Sequence, residues 1–515
     1  MNLELRVVIR QLGFLMFVLS AFIAGVALFA AYDRLTGRSP DGADLRALSI
    51  TAFAGIFFGG LLYVAGRRMS ELFSHREALL LVAASWLVGA ALAALPYHLW
   101  SAFPGDAGSA AHDFDTYVNC YFEAMSGLTT TGATVVQTIG ALPRSLLLWR
   151  ALTQWLGGLG IVVLFVAVFP LLGVGSRRLY RVEAAGPSPE GVRPRIRDTV
   201  RILWLIYLGL TVAEVLALRL CGLTWFNAVC HTLATLATGG FSTQDASIAA
   251  YPSAAVHVVV IIFMILAGIN FGLYHQLLQR QWSTVTKDPE LRLYLTIILV
   301  ATIIVTITLL RNSSSVVSST GEEATLGTTV RHSLFQVVSI QTTTGFCSTD
   351  FDLWGFAAKA TLLILMFIGA SAGSTGGGIK VVRIMIAAKV LLAEIEHVYR
   401  PKVVRPVKIG KAVIEPELKL NTLVYLLGIA LLFVVGTVLI MLLETANGVD
   451  ITSAASASAA TLNNIGPGLA KVGATQNYAW FTAPSKLVMS ILMLLGRLEM
   501  FTIIVLFTPR FWKTQ

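Results

Sequence analysis

The residues best placed to do chemistry lie in four short, polar, uncharged motifs. They read TTTGAT at 129–134, ATGGFST at 237–243, TTTGFCS at 342–348 and NNIGPG at 463–468, centred on Gly132, Gly239, Gly345 and Gly466. Such loops suit one task in particular. A ring of backbone carbonyls can replace the water shell of a dehydrated cation. Carbonyls that converge on one point require alternating or left-handed dihedrals, which glycine adopts at little steric cost. Threonine can add a hydroxyl oxygen or tie the loop to its neighbours. A single Thr-Thr-Gly is an ordinary turn, but four in matching surroundings are not accounted for that way.

Those surroundings recur. Each motif directly follows an apolar segment too short to cross a membrane: 117–128, 225–236, 330–341 and 451–462. Three or four helical turns reach about half the bilayer. Each helix would aim its C-terminal end, the negative end of its dipole, at the pore axis, favouring a cation without a formal carboxylate. Longer apolar runs lie near 8–32, 46–65, 77–100, 144–172, 198–220, 253–282, 290–311, 355–395, 418–443 and 485–507, which gives ten spans. The unit of span, short helix, glycine loop and span thus occurs four times. The domain reading is two extra N-terminal helices in 1–70, then pore repeats at 71–180, 181–285, 286–400 and 401–515. The fold class expected is an all-α polytopic membrane protein with four M1–P–M2 repeats in pseudo-four-fold arrangement.

Composition agrees. Of 515 residues, 56% are hydrophobic and 13% charged, against about 25% charged in soluble proteins. This excludes a disordered chain, a nucleic-acid-binding module and an ordinary cytosolic enzyme. The net charge of +10 reads as a topology signal. Arg67, Arg68 and Arg76, then Arg177, Arg178, Arg181, Arg193, Arg195, Arg197 and Arg201, and nine Lys/Arg from Lys380 to Lys419 fall on one side. Asp106, Asp113, Asp115, Asp245, Glu322, Glu323, Asp350, Asp352 and Asp450 fall on the other. Both termini are therefore expected in the cytoplasm, with the short helices entering from outside. The basic stretch 380–419 is secondarily a surface for acidic lipid or a cytosolic partner. Cys120, Cys221, Cys230 and Cys347 have no framework spacing and read as apolar packers.

With FEAMSGLTTTGAT, LATLATGGFST, SIQTTTGF and LNNIGPGL in place, the chain resembles the TrkH/TrkG/KtrB superfamily of bacterial potassium transporters over essentially its whole length. The two leading spans and the NNIGPG loop make it most similar to the TrkH/TrkG branch. The resemblance implies potassium uptake across the bacterial inner membrane, with K+ as the transported ion. It also implies a homodimer and a cytosolic TrkA-type (RCK) nucleotide-binding ring as regulator, any nucleotide acting only through that partner. By the same resemblance the selectivity filter is built from Thr130, Thr131 and Gly132; Ala237, Thr238 and Gly239; Thr343, Thr344 and Gly345; and Asn463, Asn464, Ile465 and Gly466. The fourth loop lacks threonine and carries Pro467, so its ring should discriminate less sharply than a four-fold identical one.

Two features read as a gate. GASAGSTGGG at 369–378 interrupts the eighth apolar run, with Lys380 just beyond. Irregular backbone at this depth must be protein-packed or line a water-filled path. Gly373, Ser374, Gly376, Gly377 and Gly378 make a mobile plug plausible, where the family has an intramembrane gating loop; the alternative is a packed, kinked helix. The second feature is Arg497 in the last span. An arginine at bilayer depth is a functional candidate by default, and the family has one beneath the filter as an electrostatic barrier. The alternatives are an ion pair with Glu499, disfavoured by a spacing of two on a helix, or a bond to a filter-side carbonyl. Glu123 is read as hydrogen-bonding backbone around the filter, His231 and Gln336 as packing or hydrogen-bonding residues, and Asn270 as an interhelical bond.

No HExxH, P-loop or aspartyl pair on adjacent spans is present, so no enzyme is expected. An alternating-access cation symporter, proton- or sodium-coupled, is the alternative; its inverted repeats contrast with the like-oriented repeats here. A pump subunit of the same superfamily is a third reading, opposed by the TrkH-like loops.

Overall fold

The computed structural model describes residues 5–38, 42–66, 75–103, 109–168, 196–312, 321–402, 406–410 and 412–512. Arg67, Arg68, Asp106, Arg177, Arg178, Arg181, Arg193, Arg195, Arg405 and Lys411, all part of the charge pattern, lie outside them.

Two long helices, α1 (Leu5–Leu35) and α2 (Ala43–Ala65), precede the repeats. They pack closely because Gly55 of α2 faces Ser20 of α1 and Leu92 of α3 (His75–Ala102). Repeat 1 continues with α4 (Tyr117–Leu128) and α5 (Arg144–Val168). Repeat 2 holds α6 (Ile196–Leu220), α7 (Trp225–Leu236), α8 (Ala254–Ala267) and α9 (Phe271–Leu278). Repeat 3 holds α10 (Pro289–Arg311), α11 (Leu326–Gln341), α12 (Phe356–Phe367) and α13 (Val381–Tyr399). Repeat 4 holds α14 (Pro416–Leu443), α15 (Ile451–Leu462), α16 (Ala483–Arg497) and α17 (Met500–Ile504). A two-residue-per-strand hairpin pairs Lys408 with Val413 in the basic stretch. The fold is all-α and polytopic.

The short helices are cut from the chain by capping. Thr116, Thr224, Thr325 and Asp450 each accept from the backbone N–H three residues on, satisfying an orphan donor at the helix start. Three of the four helices occupy the expected ranges; α11 begins four residues earlier, at Leu326, because Thr325 and Thr328 form a reciprocal capping box.

Not every long apolar run is one straight helix. Among the described residues six helices are long and apolar enough to cross a membrane, and eight if each bent pair counts as one span. The run 253–282 breaks between α8 and α9 with a 93° bend, and 485–507 breaks after Arg497 with a bend of 117°. Asn270 caps α9 by accepting from Gly272 N–H, so it serves its own chain rather than another helix. Glu499 adopts φ 54°, which no helix continues through. The run 355–395 is open from 368 to 380, as the glycine content led one to expect. The second long helices of repeats 2, 3 and 4 are all interrupted, with Gly268 beside Thr342 and Gly496 beside Leu462 at the ends of short helices.

Candidate functional site

Each short helix ends on a capping residue in right-handed backbone: Thr129, Ala237, Thr342 and Asn463. The next residue is left-handed in all four loops: Thr130 (φ 54°), Thr238 (54°), Thr343 (62°) and Asn464 (56°). Then, past one residue of negative φ, Gly132 (81°), Gly240 (79°) and Gly345 (78°) turn left-handed again. In three loops positive φ recurs at alternate residues, the kind of alternation that lets successive carbonyls face one way. The fourth does not: Gly466 precedes Pro467 and lacks positive φ.

This fixes the register of the second loop, and it differs from the expected one. Ala237 is the helix cap, not the counterpart of Thr130. The equivalent triplets are Thr130-Thr131-Gly132, Thr238-Gly239-Gly240, Thr343-Thr344-Gly345 and Asn464-Ile465-Gly466. Asn463, like Ala237, is a cap. Two adjacent glycines at 239 and 240 hide which one carries the left-handed turn.

The four loops meet. A Cβ on Gly132 would strike the Gly239 carbonyl oxygen, and one on Gly240 the Thr344 carbonyl oxygen. One on Gly345 would lie 3.0 Å from Gly466 N, and one on Gly466 2.7 Å from Gly132 O. The order 1–2–3–4–1 closes a ring. Gly132, Gly240, Gly345 and Gly466 line one cavity of about 110 Å³ above it, with Gln137 and Asp245 at its mouth.

Behind the ring the loops are tied unequally. Thr129 and Thr131 share a hydroxyl–hydroxyl bond of 2.8 Å, and Thr342 and Thr344 repeat it at 2.8 Å. Asn464 Nδ2 donates to Thr131 Oγ1 and to the Met493 carbonyl. Nine residues before each ring glycine stand Glu123, His231, Gln336 and Ala457, four different answers at one position. Glu123 accepts from Thr134 Oγ1, Val135 N and Arg150 Nε. His231 bonds Ser242 Oγ at 3.0 Å, and Gln336 donates to Thr349 O. Glu123, His231 and Gln336 therefore brace the loops, as their sequence reading had it. Arg150, 1% exposed, also donates to Thr134 and to Ser242 O, joining loops 1 and 2. Removing one partner of such a buried pair costs about 3–5 kcal/mol, since the other charge stays uncompensated. Glu123→Ala is therefore expected to lower the unfolding temperature in detergent sharply. Arg150→Met added to it should restore part of the loss.

Beneath the ring lies the segment 369–378. Gly377 N donates to Thr343 Oγ1 at 2.7 Å, and Thr375 Oγ1 donates to Leu236 O at 2.9 Å. A Cβ on Gly376 would lie 3.0 Å from Thr342 O, and one on Gly377 2.7 Å from Asn463 O. The loop thus abuts the ends of three of the four short helices. Its far side lines a second cavity of about 110 Å³ with Lys380, Arg383, Tyr425 and Arg497. Lys380 Nζ donates back to Gly376 O. Ser371 and Gly373 contact the break between α8 and α9: Phe271 N donates to Gly373 O, and Ser371 N to Gly268 O, while Ser374 bonds back to Ser371 O within the loop.

Arg497 is the last residue of α16, at the break in the last apolar run. It is 5% exposed, and its guanidinium donates to Thr375 O at 2.9 Å and Gly157 O at 3.0 Å. Glu499 instead pairs with Arg383 at 2.6 Å. The arginine ties the loop to α5.

Glu290 went unremarked in the sequence. As the second residue of α10 it looks like any acid at a helix start. Its carboxylate accepts from Ala372 N at 2.7 Å and Val382 N at 3.1 Å, pinning the loop near both ends.

The whole chain finds relatives. The family profile TrkH, described as Cation transport protein, matches residues 46–514. The chain belongs to the TrkH family. This TrkH-family chain is 38% identical over 513 residues to the Trk system potassium uptake protein TrkH of Escherichia coli K12, covering 99% of this chain and 100% of that one. It is 31% identical to the TrkG protein of the same organism, with 99% of each covered. The crystal structure of the potassium transporter TrkH from Vibrio parahaemolyticus superimposes with a TM-score of 0.84 at 33% identity, over 99% of this chain and 100% of that one. The family consists of transporters, not enzymes.

Proposed function

We propose that this chain carries potassium into the cell across the bacterial inner membrane, through the ring of four glycine loops. The observation that carries this reading is the closed cycle of contacts from Gly132 through Gly240 and Gly345 to Gly466. An ion enters the upper cavity, exchanges water for carbonyl and threonine oxygens, and continues downward once the segment 369–378 withdraws. In the arrangement described, that segment stops the path. Its Gly377 N–H also occupies the Thr343 hydroxyl, whereas among the described residues no partner reaches the equivalent Thr130 hydroxyl. Arg497 adds a positive charge at the same level. Gly373, Ser374, Gly376, Gly377, Gly378, Lys380 and Arg497 are the proposed gating residues. Potassium uptake in the named relatives and their full-length coverage support the substrate.

A homodimer, both termini in the cytoplasm and a TrkA-type nucleotide-binding ring on the basic lower face follow the same kinship. That ring would act by moving the second crossing helices, which are already broken at the loop's level. The test is rubidium or potassium flux into proteoliposomes holding the purified chain, at several membrane potentials. Uptake that follows the potential alone supports a gated pore. Uptake that requires a proton or sodium gradient overturns it in favour of the coupled symporter.

The Glu290 carboxylate supplies a further test of the gate. Losing both bonds leaves two buried N–H groups unsatisfied, at about 1–3 kcal/mol each. Even about 2 kcal/mol would raise the share of released loops roughly thirtyfold. Glu290→Ala should therefore give higher resting flux than the parent protein in the same assay. Unchanged resting flux would remove Glu290 from the gate.

A further inference from the structure

We infer that Gln154 is a specificity-determining residue, taking one carbonyl oxygen of the second loop out of full service to the ion. This rests on the pore reading proposed above. Gln154 lies on α5 and is wholly buried. Its Nε2 donates to Gly239 O at 2.7 Å, and its Oε1 accepts from Phe241 N at 3.1 Å. The second bond fixes the amide's orientation, because a backbone N–H demands the oxygen. The amine end must then face Gly239.

Gly239 is the ring counterpart of Thr131, Thr344 and Ile465. Among the described residues no donor reaches the carbonyl oxygens of those three. The Gly239 carbonyl alone at this level already carries a hydrogen bond. A hydrogen on the oxygen draws off the field a cation would feel and holds the carbonyl toward α5. Selectivity of a carbonyl ring depends on the number and field strength of its oxygens. The ring is therefore asymmetric by construction, with the second loop the weakest contributor at this level.

The helix explains why this residue reaches the loop. Arg150, Gln154 and Gly157 are spaced four and three apart and share one face. Arg150 holds Ser242 O just past the ring, and Gly157 allows α5 to approach Leu128 O below it. Gln154 falls between them, level with Gly239. A Cβ on Gly239 would collide with the Gln154 amide, so the glycine and the glutamine fit each other.

The experiment measures potassium, rubidium and sodium flux in proteoliposomes for the parent chain, Gln154→Met and Gln154→Glu. Methionine keeps the length and removes the donor. Glutamate keeps an acceptor for Phe241 N and, once ionised at alkaline pH, cannot donate, so its flux measured there covers the case in which Gln154→Met does not fold. Freed of its donor, the Gly239 carbonyl joins the ring at full strength. The potassium-to-sodium flux ratio should rise at least threefold in both variants. A merely structural role would lower all three fluxes together and leave the ratio alone, and an unchanged or reduced ratio overturns the inference. Gly240→Ser serves as the reference. If it too leaves every flux and ratio untouched, the pore reading itself fails. If it disrupts conduction while the Gln154 variants keep the parent ratio, only the role of Gln154 is lost.

Discussion

Arg497→Ala is expected to raise potassium flux at least tenfold. Two effects add. Two like unit charges about 6 Å apart repel by about 3 kcal/mol at an effective dielectric near 20, and alanine removes the Arg497 charge from the cavity below the loop. The guanidinium also bonds Thr375 O and Gly157 O, so its loss frees the middle of the loop from α5. Arg497→Lys separates the two. Lysine keeps the charge but lacks the planar fork that reaches two carbonyls at once. A lysine variant close to the parent in flux assigns the effect to charge; one close to alanine assigns it to loop anchoring. If Arg497→Ala leaves flux where it was and only destabilises the protein, the residue is a brace and no barrier. Glu499 does not complicate the reading, because its partner is Arg383.

Arg497 also illustrates what the sequence could and could not disclose. Its presence in an apolar run marked it at once, and its spacing from Glu499 argued against a pair between them. Its carbonyl partners come from segments some 120 and 340 residues away in the chain, a distance no local pattern spans. The short helices were legible almost to the residue, because a capping Thr or Asp opens each and a polar glycine loop closes it. The breaks after Ala267 and Arg497 were not, since long apolar runs look continuous whether or not one residue departs from helical dihedrals. Arg150 and Gln154 were visible as polar residues one turn apart inside α5. The apolar character of the span masks them, and a polar residue four from another on one helical face is the signal they leave. Glu290 offered none: an acid after a proline at a helix start is what any helix would choose.

The steepest loss of function is expected from placing side chains in the ring, and its gradation tests the register. Gly132 and Gly240 combine positive φ with a neighbouring loop's carbonyl oxygen where Cβ would go. Gly132→Ala and Gly240→Ala face a strained backbone and an immovable backbone neighbour together, so potassium flux should fall by at least a hundredfold. Gly345→Ser meets Pro467 Cδ at 2.9 Å and Gly466 N at 3.0 Å, also at positive φ. The fourth loop, already out of the common alternation, can give a little, so some flux should survive with potassium over sodium selectivity collapsed. Gly239→Ala is the discriminating case. Its φ is not left-handed, and its Cβ would press on the Gln154 side chain rather than on backbone. It should therefore be milder than Gly240→Ala, one residue away. Size-exclusion profiles must match the parent in each case, so that the loss is read as conduction and not as failed insertion. Equal loss at 239 and 240, or greater loss at 239, would return the second loop to the register in which Gly239 is the counterpart of Gly132. Full activity of Gly132→Ala would remove the ring from the ion's path altogether, since no dehydrated ion could ignore a methyl group driven against the oxygen of the adjacent loop.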